Sequence, residues 1–269
     1  MAKTNCFNLM NGSNEAFYWV GFILADGCVS EDRPKNKKSL SQVMRLSITL
    51  NVIDLEHLVK YRNFINSGVV RIYNDKAAIN TYDGTKELMA NFNINLRKTY
   101  NPSDFSYYEN YSREQLLSLF CGLLDGDGSV TYKHGKKSVF LRVGAHNVWE
   151  TFYRKLLTKL EIPFTFVPHS KFDYFSLSIQ NKQFIAKLYE EIKTLNIPIL
   201  GRKWDKITTI PMDLTAKKKI HQFDLNGSFI KEYESVKQAG EELGIDNTGI
   251  SKCLKGHLKK SGGYIWKYA

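Results

Sequence analysis

Apolar and polar positions along this chain follow one order twice. In SNEAFYWVGFILADGCV, residues 13–29, a polar cap precedes an apolar helical run with an internal glycine, then an acid, a glycine and a β-branched residue. The same grammar returns in SREQLLSLFCGLLDGDGSV, residues 112–130. Beyond each stretch, period-2 alternation (RLSIT, YFSLSI) is interleaved with helical spacing (LEHLVKYRNFI, FYRKLLTKL, QFIAKLYEEIKTLNI). The exits agree as well: LRKT at 96–99 and GRKW at 201–204 each place Arg then Lys after the last helix of a copy. Matched length and element order predict an internal duplication of roughly a hundred residues per copy. Each copy reads helix, two strands, helix, two strands, helix, an α+β class of two pseudo-symmetric αββαββα halves over residues 1–107 and 108–204.

Several helix ends are marked. Ser112 with Gln115 three residues on forms a capping-box pattern, and Gly27 and Gly128 stand as helix stops. Gly21 and Ala25, spaced by four, leave room for another helix backbone, and the helix bearing Gly122 and Gly126 is the partner that fits.

After residue 204 the pattern changes. Residues 205–219, DKITTIPMDLTAKKK, lack periodicity and end in lysines, as a linker along phosphates would. From 220 to 269 a small module follows: Asn226-Gly227 between alternating runs signals a hairpin, and ESVKQAGEELG with ISKCLKG reads as helix-turn-helix. Gly244 ends its first helix. Thr248, Ser251, Lys252 and Lys255 fall on the second, with polar tips for bases or phosphates.

Charge narrows the partner. Lys plus Arg is 38 against 27 for Asp plus Glu, a net +11, which points to a polyanion through counterion release, or more blandly to solubility. No apolar run reaches membrane length, and MAKTNCFNLMNGS lacks the order of a secretory signal. A cytoplasmic or organellar protein, not secreted, is expected. Cys6, Cys28, Cys121 and Cys253 have no zinc spacing or disulfide framework.

Asp26 and Asp127 close their helices at the end where the macrodipole is already negative. One Asp-Gly alone reads as a turn; two in the same frame predict carboxylates meeting across a pseudo-two-fold, where repulsion calls for a cation. An all-oxygen ligand set suits Mg²⁺, and such ions beside nucleic acid suit phosphodiester hydrolysis.

WVGFILADG (19–27) and FCGLLDGDG (120–128) resemble the paired motifs of LAGLIDADG homing endonucleases, with Leu24 in the first copy at the motif's first acidic position. With the duplication, the resemblance covers residues 13 to about 210. It implies a monomeric enzyme whose two sheets form a saddle over double-stranded DNA. Asp26 and Asp127 would bind divalent ions, Mg²⁺ with Mn²⁺ or Ca²⁺ able to substitute for binding, aided by the carbonyls of Ala25 and Gly126. Lys98 and Lys203 would activate water or stabilise the phosphate, or else serve only as dipole partners. Asp54 and Glu150, in equivalent places following the second strand of each copy, would organise metal-bound water, or cap helices. The implied activity is site-specific cleavage of a long non-palindromic site, promoting mobility of an intron or gene.

DNA reading is expected from the first hairpin of each half: Arg33, Lys35, Lys37, Lys38, Gln42 and Arg45 in one, Lys133, His134, Lys136, Lys137 and Arg142 in the other. The tail resembles modular domains appended to nucleases of mobile elements. Two rival classes remain, an intron RNA maturase and a non-catalytic transcription regulator; retention of both acids argues against the second. His146-Asn147 lacks the second histidine of an HNH nuclease.

Overall fold

The computed structural model describes residues 6–32, 43–66, 68–133, 138–208 and 219–269. It divides into two compact units, Met1–Ile210 and Pro211–Ala269.

In the first unit one half runs α1 (Asn14–Asp26), β1 (Gly27–Asp32), β2 (Val43–Asn51), α2 (Leu55–Phe64), β3 (Arg71–Tyr73), β4 (Lys76–Thr81) and α3 (Thr85–Asn91). The other runs α4 (Arg113–Asp127), β5 (Gly128–Lys133), β6 (Ser138–His146), α5 (Glu150–Lys159), β7 (Thr165–Pro168), β8 (Tyr174–Ile179), α6 (Lys182–Thr194) and α7 (Gly201–Thr208). The sheets are antiparallel and share one topology, β1-β2-β4-β3 and β5-β6-β8-β7. Alternation sets their faces: Met44, Leu46, Ile48 and Leu50 of β2, and Val139, Leu141 and Val143 of β6, are buried, while the residues between them face away from the core.

α1 and α4 differ from surface helices in being buried on every side over Ala16–Ala25 and Leu116–Asp125. Ser13 caps α1 through Ala16 N–H, and Ser112 and Gln115 complete the expected capping box on α4. The two helices touch backbone to backbone. A Cβ on Gly21 would lie 2.0 Å from the Leu119 carbonyl oxygen, and one on Gly122 would lie 2.0 Å from that of Tyr18. At the far end a Cβ on Gly126 would meet the Ala25 Cβ at 2.3 Å.

Gly27 and Gly128 end the helices without a left-handed turn, since both have extended backbone and begin the following strands. Close packing, rather than φ, excludes a side chain there: a Cβ on Gly128 would sit 2.8 Å from the Arg142 carbonyl oxygen. Each motif helix therefore passes into its strand with no loop between. The helix end is fixed with it.

One boundary differs from expectation. Residues 205–208, assigned to the linker, form the last turn of α7, because Trp204 and Ile207, three apart, both bury in the core of the first unit.

The second unit holds β9 (Ile220–Phe223), β10 (Phe229–Tyr233), α8 (Val236–Leu243), α9 (Asn247–Leu254) and β11 (Ile265–Tyr268), with sheet order β10-β9-β11. The Asn226-Gly227 hairpin is present, its turn stitched by Asp224 Oδ1 accepting from the N–H groups of Asn226 (2.9 Å) and Ser228 (2.7 Å). The closing segment supplies a third strand as well as aromatic packing. Ile220, Tyr233, Ala239, Ile250, Cys253 and Trp266 form a separate core.

Replacing Gly122 by Val should destabilise the first unit by about 3 kcal/mol or more, because the new atoms meet a backbone that cannot step aside. Thermal unfolding checks this; an unchanged midpoint would refute the close approach.

Candidate active site

Asp26 and Asp127 are the last residues of α1 and α4, and the crossing of those helices keeps the two ends adjacent. A Cβ on Gly126 would lie 3.3 Å from the Asp26 nitrogen. Both residues reach solvent, yet surrounding protein desolvates their carboxyls and raises both pKa values. The charge on Asp26 raises Asp127 further, while Lys98 and Lys203 act in the opposite direction on both acids. Two acids and two lysines thus share one electrostatic field.

The lysines occupy the helix ends. Lys98 Nζ donates to the carbonyls of Leu24 (2.7 Å) and Ala25. Lys203 Nζ donates to Leu124 (3.2 Å), Asp125, Gly126 (3.3 Å) and Gly128 (2.8 Å). Each ammonium therefore offsets the negative pole of its own copy's motif helix beside the acid that pole disfavours. Burial lowers both lysine pKa values, and the neighbouring carboxylates oppose that shift.

The donors that would hold a metal are all oxygens: two carboxylates and the carbonyls of Ala25 and Gly126. That chemistry fits a hard divalent ion. Each of these carbonyls already accepts from a lysine, and a carbonyl oxygen has a second lone pair. Among the described residues no group of three or more His, Cys, Asp or Glu side chains could hold a metal.

Asp54 and Glu150, expected to be equivalent, are placed differently. Asp54 is buried and forms a two-pronged ion pair with Arg202 at 2.5 and 2.6 Å, linking the start of α2 to α7 in the other half. Glu150 pairs with Arg154 one turn along its own helix. The capping alternative is not realised either: Asp54 stands at the N-cap of α2 without a side-chain bond, and Glu150 is the first residue of α5, whose N-cap is Trp149.

The positions that do match across the halves lie three and four residues earlier. Asn51 ends β2 and His146 ends β6, and each side chain accepts from the backbone two residues on, Ile53 N–H at 3.0 Å and Val148 N–H at 3.4 Å. His146 lines a cleft of about 690 Å³ with Ala25, Lys98, Tyr100, Asp127, Trp149, Tyr153, Asp173 and Tyr174. Trp149 Nε1 donates to the Lys98 carbonyl at 2.9 Å, so the second half holds the backbone of the first half's lysine. The sequence signal for His146 is its place at a strand end, matched by Asn51 in the first copy.

A buried polar chain runs behind the site. Asp125 accepts from Tyr18 Oη (2.8 Å), Leu200 N–H (2.8 Å) and Trp204 Nε1 (2.7 Å). Since the Tyr18 hydroxyl donates to Asp125, His57 Nε2–H must donate to Tyr18 at 3.0 Å. His57 Nδ1 is then bare, with no partner among the described residues.

On the strand faces, Arg45 is tied to Asp32 at 3.2 Å and to Ser30, while Arg142 lies over the Phe140 ring at 4.9 Å. The registers place Ser30, Arg45, Ser47 and Asn80 on one sheet face, and Ser129, Arg142 and Ser178 on the matching face of the other. Lys133 closes β5. Arg33, Lys35, Lys37, Lys38, Gln42, His134, Lys136 and Lys137 lie outside the described residues. In the second unit Thr248 and Lys252 are exposed one turn apart on α9, Ser251 is half-buried, and Lys255 is exposed just past the helix end.

Known proteins resemble both units. A family profile described as DNA endonuclease I-HmuI-like, NUMOD-like domain, matches residues 225–267. An uncharacterized HNH endonuclease, L245 of Acanthamoeba polyphaga mimivirus, is 46% identical over 52 residues, 19% of this chain and 16% of that protein. Probable mobile endonuclease B of Enterobacteria phage T4 is 43% identical over 54 residues, 20% of each chain. This chain thus spans a fifth or less of those relatives' length.

Among solved structures, the LAGLIDADG homing endonuclease I-GzeII in complex with its DNA target superposes with a TM-score of 0.50 at 16% identity, covering 71% of this chain and 87% of that one. The meganuclease I-SmaMI bound to uncleavable DNA with a TTCT central four gives 0.51 at 14% identity, covering 74% and 88%. The fold is therefore that of the LAGLIDADG homing endonucleases.

The buried chain sets a pH test. Burial lowers His57 from 6.5 to about 4, so as pH falls through that window the unfolded chain takes up a proton that the folded one refuses, and stability drops. Burial raises Asp125 from 3.8 to about 6, so it contributes the opposite slope over nearly the same window, its stabilisation being lost as pH rises. In the wild type these two slopes oppose each other. Asp125→Asn should expose the His57 slope, a further loss of about 3 kcal/mol between neutral pH and the acid limit; urea unfolding at stepped pH measures it, and parallel profiles would refute it.

Proposed function

We propose that this chain is a site-specific homing endonuclease that hydrolyses both strands of double-stranded DNA at a long, non-palindromic site. The observation that carries the reading is the meeting of Asp26 and Asp127 at the crossing of α1 and α4, within a fold whose solved examples include enzymes complexed with DNA targets. The net charge of +11 supports a polyanionic partner. Among the described residues no helix is long and apolar enough to cross a membrane.

Asp26 and Asp127, with the carbonyls of Ala25 and Gly126, would hold divalent ions, Mg²⁺ foremost. Bound there, such ions supply Lewis-acid stabilisation and lower the pKa of a water. Lys98 and Lys203 keep positive charge beside the scissile phosphate, where negative charge builds in the transition state. With its Nδ1 accepting from Val148, His146 keeps Nε2–H to donate to a phosphate oxygen or a water in the cleft. Arg45 and Arg142 read base edges from the strand faces. The second unit lengthens the footprint through Thr248, Ser251, Lys252 and Lys255, raising affinity by effective concentration.

Local similarity to endonucleases of a giant virus and a phage supports a mobile-element origin. The profile match of residues 225–267 to an I-HmuI-like, NUMOD-like domain, apart from the fold of the first unit, supports a role for this module in DNA holding more than in cleavage.

The direct test incubates the protein with a random duplex library and Mg²⁺. Double-strand cuts should appear, vanish with EDTA, and fall about a hundredfold or more in Asp127→Asn. Undiminished cutting by that variant, or binding without any cut, would overturn the endonuclease reading, and the latter would favour a regulator.

A further inference from the structure

The two halves are alike in topology but unlike in how each holds its lysine. Lys203 lies on α7, between Leu200 and Trp204, and both of those residues donate to the buried carboxylate of Asp125. Its own N–H donates to the Leu200 carbonyl at 2.9 Å, closing the same turn. The third donor to Asp125, Tyr18, comes from the other half, so the seam between halves and the seat of Lys203 share one acceptor. In the first copy the equivalent position is Leu24, which has no side-chain acceptor. Lys98 sits in a turn after Arg97, whose φ is +54°, and is half-buried where Lys203 is buried. Its backbone is held from outside its own copy, by Trp149.

We propose that Asp125 is a positioning residue for Lys203, and that Leu24 at the matching place makes the two strand-cutting centres unequal. This rests on the endonuclease reading. The physical reason is the number and burial of the anchors. A carboxylate accepting three bonds in the core fixes the turn that carries Lys203, and displacement of a charged group by about an ångström is enough to cost a large factor in rate. The Asp54–Arg202 ion pair steadies the same helix from a more exposed side, Arg202 being 50% exposed. Nothing comparable can form from Leu24.

Strand-resolved cleavage tests the proposal, using a cognate duplex labelled separately on each strand. Lys203→Met first identifies the strand that depends on Lys203. Asp125→Leu, which copies the first half, should slow that same strand about tenfold or more while the other stays within about twofold, so that nicked duplex accumulates. Adding Asp125→Leu to Lys203→Met should bring no further loss on that strand. Trp204→Phe, which removes a single donor together with part of the buried indole, should slow the same strand by a smaller factor. Parallel slowing of both strands by Asp125→Leu and Trp204→Phe, or no change in a folded protein, would overturn the proposal while leaving the endonuclease reading intact. A wild type that cuts neither strand would overturn both.

Discussion

Two helices without side chains at their point of contact are the constraint on which the first unit depends. Gly21 lies against the Leu119 carbonyl and Gly122 against that of Tyr18, so α1 and α4 approach more closely than any residue with a Cβ would allow. From that contact the helices run directly into β1 and β5 at Gly27 and Gly128. The acids before those glycines are held by a rigid helix end and by the first residue of a sheet. Close packing at one place thereby becomes precision at another.

That precision concentrates charge that would otherwise be unfavourable. Carboxylates at the carboxyl ends of two desolvated helices are disfavoured by burial, by each other and by the macrodipoles. The ammonium groups of Lys98 and Lys203 on the last carbonyls are the fold's internal answer, and they leave the acids reaching solvent. A cation between two such acids would relieve that repulsion, as the proposed phosphodiester hydrolysis calls for. Arg202 with Asp54, and Trp149 with the Lys98 carbonyl, tie each lysine's segment to the opposite half, so the pseudo-two-fold is maintained by polar as well as apolar contacts.

The second unit has a small core of its own around Trp266, Tyr233 and Ile250 and a third strand that closes its sheet. A unit of this size has limited apolar burial, and its caps matter accordingly: Ser235 on α8 and Asp246 on α9 both accept from the first turn. The profile of an I-HmuI-like, NUMOD-like domain matches residues 225–267, within this unit.

Much of this was written in the sequence by itself. The repeated grammar of capped apolar helix, glycine, acid and glycine announced two copies of αββαββα, and alternation in RLSIT and YFSLSI set the strand faces, because both signals are local and periodic. Glycine and alanine spaced by four foretold the close crossing, and the repeated acid marked the candidate site. Tertiary structure alone decided the rest. Asp54 and Glu150 look equivalent along the chain, yet Arg202 claims one and Arg154 the other, since ion pairing depends on what arrives from elements far away in sequence. Asp125 read only as the motif's first acid until Tyr18, Leu200 and Trp204 converged on it. His146 gained its meaning only when the end of β6 opened onto the cleft beside Lys98 and Asp127. Local pattern fixes which way a side chain faces; only folding chooses its partner.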